Sequence, residues 1–293
     1  MKAVTASSGP GSVAIVTGPA RSSEEFAAVE RLARSIGTDA VSCIFEPQDE
    51  ALAASGASAG ASAIEEANCV IVLGDVFFSH PVLSRQIIDA KYTARGNSLF
   101  VIDPRRSNTA WFASEYIQNR PGSEALVLAA LLKALAEAGK PLPSTVSWLG
   151  AFDEKALLDG CGLSRAAVAR MARSFGDAAK GAIVLAPAVR GVAEVGLVAR
   201  LARLVVEQAG QGKSYLGLPA EGNAGGAWKA SVDAGWKPAS ALVSELVAGR
   251  YRALVSLGVD ITESFPSAEL DKAVASLQAV VSYSLFRGGI GNA

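Results

Sequence analysis

Residues 69–75 read CVIVLGD, and residues 99–105 read LFVIDPR. Each is a short, unbroken apolar run, rich in branched side chains, that stops at a turn-forming or acidic residue. A strand with one wet face alternates polar and apolar positions. An unbroken run this short instead marks a strand covered on both faces, the habit of parallel sheets layered between helices. Between the two runs, Pro81 suits a first helical position, and Leu83, Ile87, Ala90 and Ala94 recur at helical spacing. The stretch therefore predicts a strand, a helix and a strand.

The same alternation extends in both directions. Val13–Val16 (VAIV) runs into Thr17-Gly18-Pro19. A helix over 23–36 follows, with Ser22 and Glu25 placed as a capping box, one apolar face (Phe26, Val29, Ala33, Ile36) and Gly37 as the stop. Residues 41–45 form a second strand, and 51–63 is a low-complexity loop with a weak helix. Beyond 105 come a strong helix over 123–138, helices near 153–160, 164–175 and 193–208, and strands over 182–185, 215–218, 253–257 and 279–284. Prolines 141 and 143 mark a boundary. The expected fold is α/β, two Rossmann-like lobes with mainly parallel sheets flanked by helices: a nucleotide-binding-like lobe over 1–140 and a second over 141–293.

Composition narrows the function. The formal net charge of −1, with both signs interspersed, gives no basis for binding nucleic acid. No run approaches the ~20 apolar residues of a bilayer span, and the N-terminal segment lacks the apolar core of a signal peptide. A cytoplasmic protein with no direct membrane span is expected. The three cysteines, Cys43, Cys69 and Cys161, form no CxxC pair, and His80 is the single histidine. A metal centre built from this chain alone is not expected. Cys43 and Cys69, in or beside apolar strands, read as small core residues.

Ligands of open parallel sheets sit beyond the carboxyl ends of the strands. Thr17-Gly18, Gly74-Asp75 and Asp103-Pro104-Arg105 are such ends. A carboxylate there can accept from a ribose hydroxyl or a guanine edge, and an arginine can hold a phosphate. Turn chemistry alone also places Gly and Asp at strand ends. His80 precedes Pro81 at a helix start, where capping or packing is its ordinary role. In the second lobe, Glu221–Gly226 reads as a polar loop whose glycines would let a ligand approach or would serve a tight connection equally well. The sequence contains no P-loop, and no nucleophile–base–acid set forms around its one histidine.

The order of several motifs resembles the molybdopterin oxidoreductases. The run from Ser22 to Asp39 is similar to that family's "TNEENY…A…GTNN", and Ala67–Asp75 with His80-Pro81 and Asp89-Ala90-Lys91 to its "AD…GxN…HP…AK". Val101–Ala110 matches "DPR…TA", and Arg120–Ser123 matches "RPGTD". Gly222-Asn223 with Gly226-Ala227 resembles the large iron–sulfur subunit of complex I. The resemblance implies that Gly74, Asp75, His80, Asp103, Arg105 and Asn223 lie along the binding path of a molybdopterin guanine dinucleotide.

The departures matter as much. No cysteine motif for a [4Fe–4S] cluster precedes Val13. The metal ligand of the family, a Cys, selenocysteine or Ser after the second strand, is replaced by Glu46-Pro47-Gln48-Asp49. Asp75 stands where Asn is expected and brings a negative charge toward the dinucleotide. The chain stops at Gly291-Asn292-Ala293, where the family continues into "ADVVLP" and a closing domain, so an exposed apolar face and either a stable partner or a dimer are expected. These features imply a subunit that is not catalytic alone, with no cofactor of its own, in a redox complex related to complex I or formate dehydrogenase. One alternative is a B-type subunit of a formylmethanofuran dehydrogenase or formyltransferase/hydrolase complex. Another is a module that carries the guanine dinucleotide.

Overall fold

The computed structural model describes residues 2–56, 58–186, 194–284 and 290. Among the described residues, nine strands occur: β1 Val13–Thr17, β2 Val41–Cys43, β3 Cys69–Leu73, β4 Ser98–Ile102, β5 Glu115–Ile117, β6 Gly181–Leu185, β7 Lys213–Gly217, β8 Ala253–Leu257 and β9 Ala279–Tyr283. They form two all-parallel sheets, ordered β2-β1-β8-β9 and β5-β4-β3-β6-β7. The two Rossmann-like α/β lobes are thus present.

The lobes are not consecutive halves. One unit comprises residues 1–50 and 221–293, and the other residues 51–220. This replaces the division at 140. The Pro-rich turn at 141–143 sits inside the second unit, because the helix before it, Glu124–Glu137, packs against the helices after it, Arg165–Asp177 and Val195–Ala209. The first unit closes only when β8 returns to pair with β1 in the register Val13↔Ala253 to Thr17↔Leu257. The three-residue β5 lies at a sheet edge and carries no pattern long enough to predict. Position 193, where the sequence starts a helix, and the terminal residues 291–293 lie outside the described residues; the described helix is Val195–Ala209.

In the unit 51–220, alternate residues of each strand enter separate cores. Cys69, Ile71, Leu73, Phe100, Ile102, Ile183 and Leu185 face the three long helices. Val70, Val72, Leu99, Val101, Ala182 and Val184 face Leu83, Ile87 and Ala90 of the helix Pro81–Thr93. Both faces are buried, which is why the strands read as unbroken apolar runs. Counted in order of appearance, the strands of this sheet run 3-2-1-4-5, so the order reverses between β3 and β6. In the other unit it reverses between β1 and β8. There the predicted capping box forms: the Ser22 side chain accepts from the Glu25 N–H, and the Glu25 side chain accepts from the Ser22 N–H.

Candidate nucleotide site

Three strand ends of the unit 51–220 carry buried carboxylates. At the end of β3, Gly74 has a φ of 90°, and its N–H donates to the Ile102 carbonyl at 2.8 Å. Glycine takes that left-handed turn without steric cost. The buried Asp75 accepts through Oδ1 from the Thr109 hydroxyl at 2.6 Å and from the Phe77 N–H at 3.1 Å. Thr109 Oγ1 in turn accepts from the Val76 N–H at 3.0 Å. Asp75 is therefore a clamp joining the loops after β3 and β4. Oδ1 is thus occupied within these loops. His80 is half-buried at the N-cap of Pro81–Thr93 and makes no side-chain cap bond.

At the end of β4, Asp103 is 4% exposed. Its Oδ1 accepts from the Arg105 N–H at 2.9 Å, whereas Oδ2 has no partner within hydrogen-bond geometry, although the nearby buried Ser107 hydroxyl also favours the charged carboxylate. Burial raises the Asp103 carboxyl above the usual carboxylate range, against the pull of the Arg105 N–H and guanidinium. Arg105 and Arg106 are exposed, and neither is in a salt bridge among the described residues. The Arg106 guanidinium lies 5.9 Å from the centre of the exposed Trp111 ring.

After β5 comes a set that sequence reasoning missed. Asn119 Nδ2 donates to the Arg120 carbonyl (2.9 Å), to Ser123 Oγ (3.2 Å) and to Glu124 Oε1 (3.2 Å). Asn119 Oδ1 and Glu124 Oε2 remain buried without a partner. Glu124 opens the helix Glu124–Glu137, whose own apolar run drew attention away from its first residue. The available signal was an acidic residue placed directly after Arg120–Ser123.

Asn223 belongs to the other unit. It sits at a φ of 64° as the N-cap of the helix Ala224–Asp233, and its amide donates to the Arg21 carbonyl at 2.6 Å. The expected polar loop over 221–226 is thus a helix start from residue 224 onward. The 43–50 segment is closed in its own way. Burial, then the charges of Glu221 and Glu50, push the Cys43 thiol up to about 12. Asp49 is fully buried, and its Oδ2 accepts from the Glu221 N–H at 3.0 Å. Burial pushes the Cys69 thiol up to about 11. Such thiols stay protonated, and it is the thiolate that binds metal. Among the described residues, no three or more His, Cys, Asp or Glu side chains gather where they could hold an ion, and no helix is long and apolar enough to cross a membrane.

The family profile described as molybdopterin oxidoreductase matches residues 1–285. The chain belongs to the molybdopterin oxidoreductase family. Among curated members, the F420-dependent formate dehydrogenase 1 subunit alpha of Methanococcus maripaludis is 39% identical over 75 residues, which is 25% of this chain and 11% of that protein. The probable oxidoreductase YjgC of Bacillus subtilis is 34% identical over 142 residues, 45% of this chain and 14% of the relative. The matched stretches are thus a small part of these members. Acetylene hydratase from Pelobacter acetylenicus superposes with a TM-score of 0.67 at 13% identity, over 97% of this chain and 48% of its own. A chain of the formyltransferase/hydrolase complex from Methylorubrum extorquens, solved with methylofuran, superposes with a TM-score of 0.57 at 18% identity, over 94% and 76% respectively. At these identities the superpositions describe a shared fold.

Proposed function

We propose that this family member is a non-catalytic subunit of a multisubunit complex of the formyltransferase/hydrolase type. The observation that carries the reading is the closed 43–50 segment. Where the family resemblance implies a metal ligand, the chain offers a buried neutral thiol and a carboxylate bonded to the backbone of Glu221. The shared fold supports it, since a chain of that complex superposes over 94% of this chain. The test is purification of the tagged chain from its own host. The expected result is a complex of fixed stoichiometry that transfers or hydrolyses formyl groups and carries no molybdenum or tungsten on this chain. A lone chain with one equivalent of either metal and formate-oxidising activity overturns the proposal.

A second reading, retention of the guanine nucleotide portion of the family cofactor, is favoured by the unpartnered buried atoms Asp103 Oδ2, Asn119 Oδ1 and Glu124 Oε2. These acceptors suit the N–H edge of guanine and ribose hydroxyls, and the guanidinium of Arg105 suits a phosphate. When bound, the full cofactor would supply its pterin dithiolene for metal ligation. The residues of this chain would supply only recognition.

Asp103→Asn separates binding from stability. The folded carboxyl titrates above its unfolded value, so its stabilising contribution is complete below the ordinary carboxylate pKa. That contribution is lost as pH rises through the folded value. Asparagine keeps the acceptor for the Arg105 N–H and removes the charge. The variant is expected to be more stable by about 1 kcal/mol at pH 7, with the gain vanishing near pH 3. It should also bind GDP about tenfold more weakly, because Nδ2 cannot accept. Unchanged GDP affinity by calorimetry would remove Asp103 from the site.

A further inference from the structure

The unit 51–220 carries a band of exposed aromatic rings that none of the preceding chemistry uses. Two pairs of neighbours in sequence each keep one ring against the protein and leave the other in water. Phe112, in the turn Thr109–Phe112, packs on the core that the helix Pro81–Thr93 covers, and Phe77 lies flat on it at 5.2 Å between ring centres. Their neighbours Trp111 and Phe78 are 74% and 91% exposed. The stack of Phe77 on Phe112 joins the loop after β3 to the turn after β4, so the two outward rings belong to one surface. The end of the helix is tied to it as well. The Lys91 ammonium donates to the Phe112 carbonyl and lies 4.6 Å from the centre of the Tyr92 ring, itself 65% exposed. Large rings left in water forgo the gain of burial, and contiguous apolar surface of this kind marks a docking face.

The charges around the band are predominantly of one sign. Along residues 76–114 the acids are Asp89, which Arg85 holds at 2.9 Å, and the buried Asp103. Of the nearest acids outside that stretch, Glu115 is ion-paired with Arg170, and Glu65 accepts from the amide of Gln86. Against these stand Lys91 and the exposed Arg95, Arg105 and Arg106, none of the three arginines in a salt bridge among the described residues. Arg106 already lies over the Trp111 ring, at 5.9 Å from its centre. Trp, Tyr and Arg are the residues that dominate binding energy at protein interfaces. An isologous pairing of two copies would set these arginines against their own counterparts. The chain as a whole carries −1, so the positive field is local, which suits a protein segment rather than nucleic acid.

We propose that this band docks another subunit through a segment that carries acidic residues around an apolar anchor. The inference rests on the reading that the chain works as a subunit of a complex, and adds the face it uses and the chemistry of what it meets.

The test uses the tagged full chain purified from its own host, with a photo-crosslinking benzophenone amino acid in place of Phe78. The expected crosslink joins a segment of a different subunit with a net negative charge. In reconstitution with that subunit, Phe78→Ser combined with Trp111→Ser is expected to weaken binding about 100-fold. Arg106→Glu is expected to weaken it about tenfold. Melting temperatures should not change, because these side chains are exposed. The crosslinking arm stands alone if a variant fails to fold, since it leaves Trp111 and Arg106 native. Variants that bind as the native chain does, or a crosslink to a positively charged segment or to a second copy, overturn this inference and leave the complex standing. A native chain that purifies alone overturns both.

Discussion

Phe175→Ala is expected to destabilise the unit 51–220 by about 3–5 kcal/mol, the range for removing a fully buried aromatic ring. Phe175 is completely inaccessible in the helix Arg165–Asp177. Its ring covers the first residue of β6, where a Cβ added to Gly181 would stand 2.8 Å from Phe175 Cε2. The Lys213 ammonium lies 5.8 Å from the ring centre. Truncation therefore removes apolar area, opens a cavity over Gly181 and deletes a cation–π contact. The neighbours cannot collapse to fill the space, because the backbone of Gly181 is held by its N–H bond to the Gly212 carbonyl at 2.9 Å. For a unit of this size the melting temperature should fall by roughly 10 °C. Guanidinium unfolding with an unchanged m-value measures the loss, and a loss below about 1 kcal/mol would show that the helix repacks.

Asp75→Ala is expected to cost about 3 kcal/mol, while Asp75→Asn is expected to stay within about 1 kcal/mol of the native chain. Alanine removes the acceptor of the Thr109 hydroxyl and one of the two acceptors of the Phe77 N–H, which keeps Thr109 Oγ1 at 3.2 Å, and the buried hydroxyl left unpaired costs its full desolvation. Asparagine keeps an oxygen at Oδ1 for both donors. The two substitutions thus separate the geometric role of the side chain from its charge, and equal losses in thermal unfolding would contradict the clamp. The Asp at this position, where the family resemblance implies Asn, is accommodated by shape. Because the clamp ties the loops after β3 and β4 together, Asp75→Ala should also loosen the segment that presents Asp103.

The sequence by itself determined the α/β class, the parallel sheets, the strands at 13–16, 69–73 and 253–257, and the family. Unbroken branched apolar runs ending at Gly or Asp have few other uses, and the motif Asp103-Pro104-Arg105 directly follows such a run. Local chemistry such as the capping box of Ser22 and Glu25 was equally legible, since both partners lie within one helical turn. Only the tertiary structure decided which strands share a sheet. The pairing of β1 with β8 joins residues some 240 apart and makes one unit from the two ends of the chain. Periodicity reports which face of an element is apolar and carries no information about its neighbour in space. The same limit hid Asn119 and Glu124, whose unpartnered oxygens are defined by burial. It also governs Asp75, which reads as a loose charge in sequence and becomes a satisfied clamp once Thr109 is folded against it.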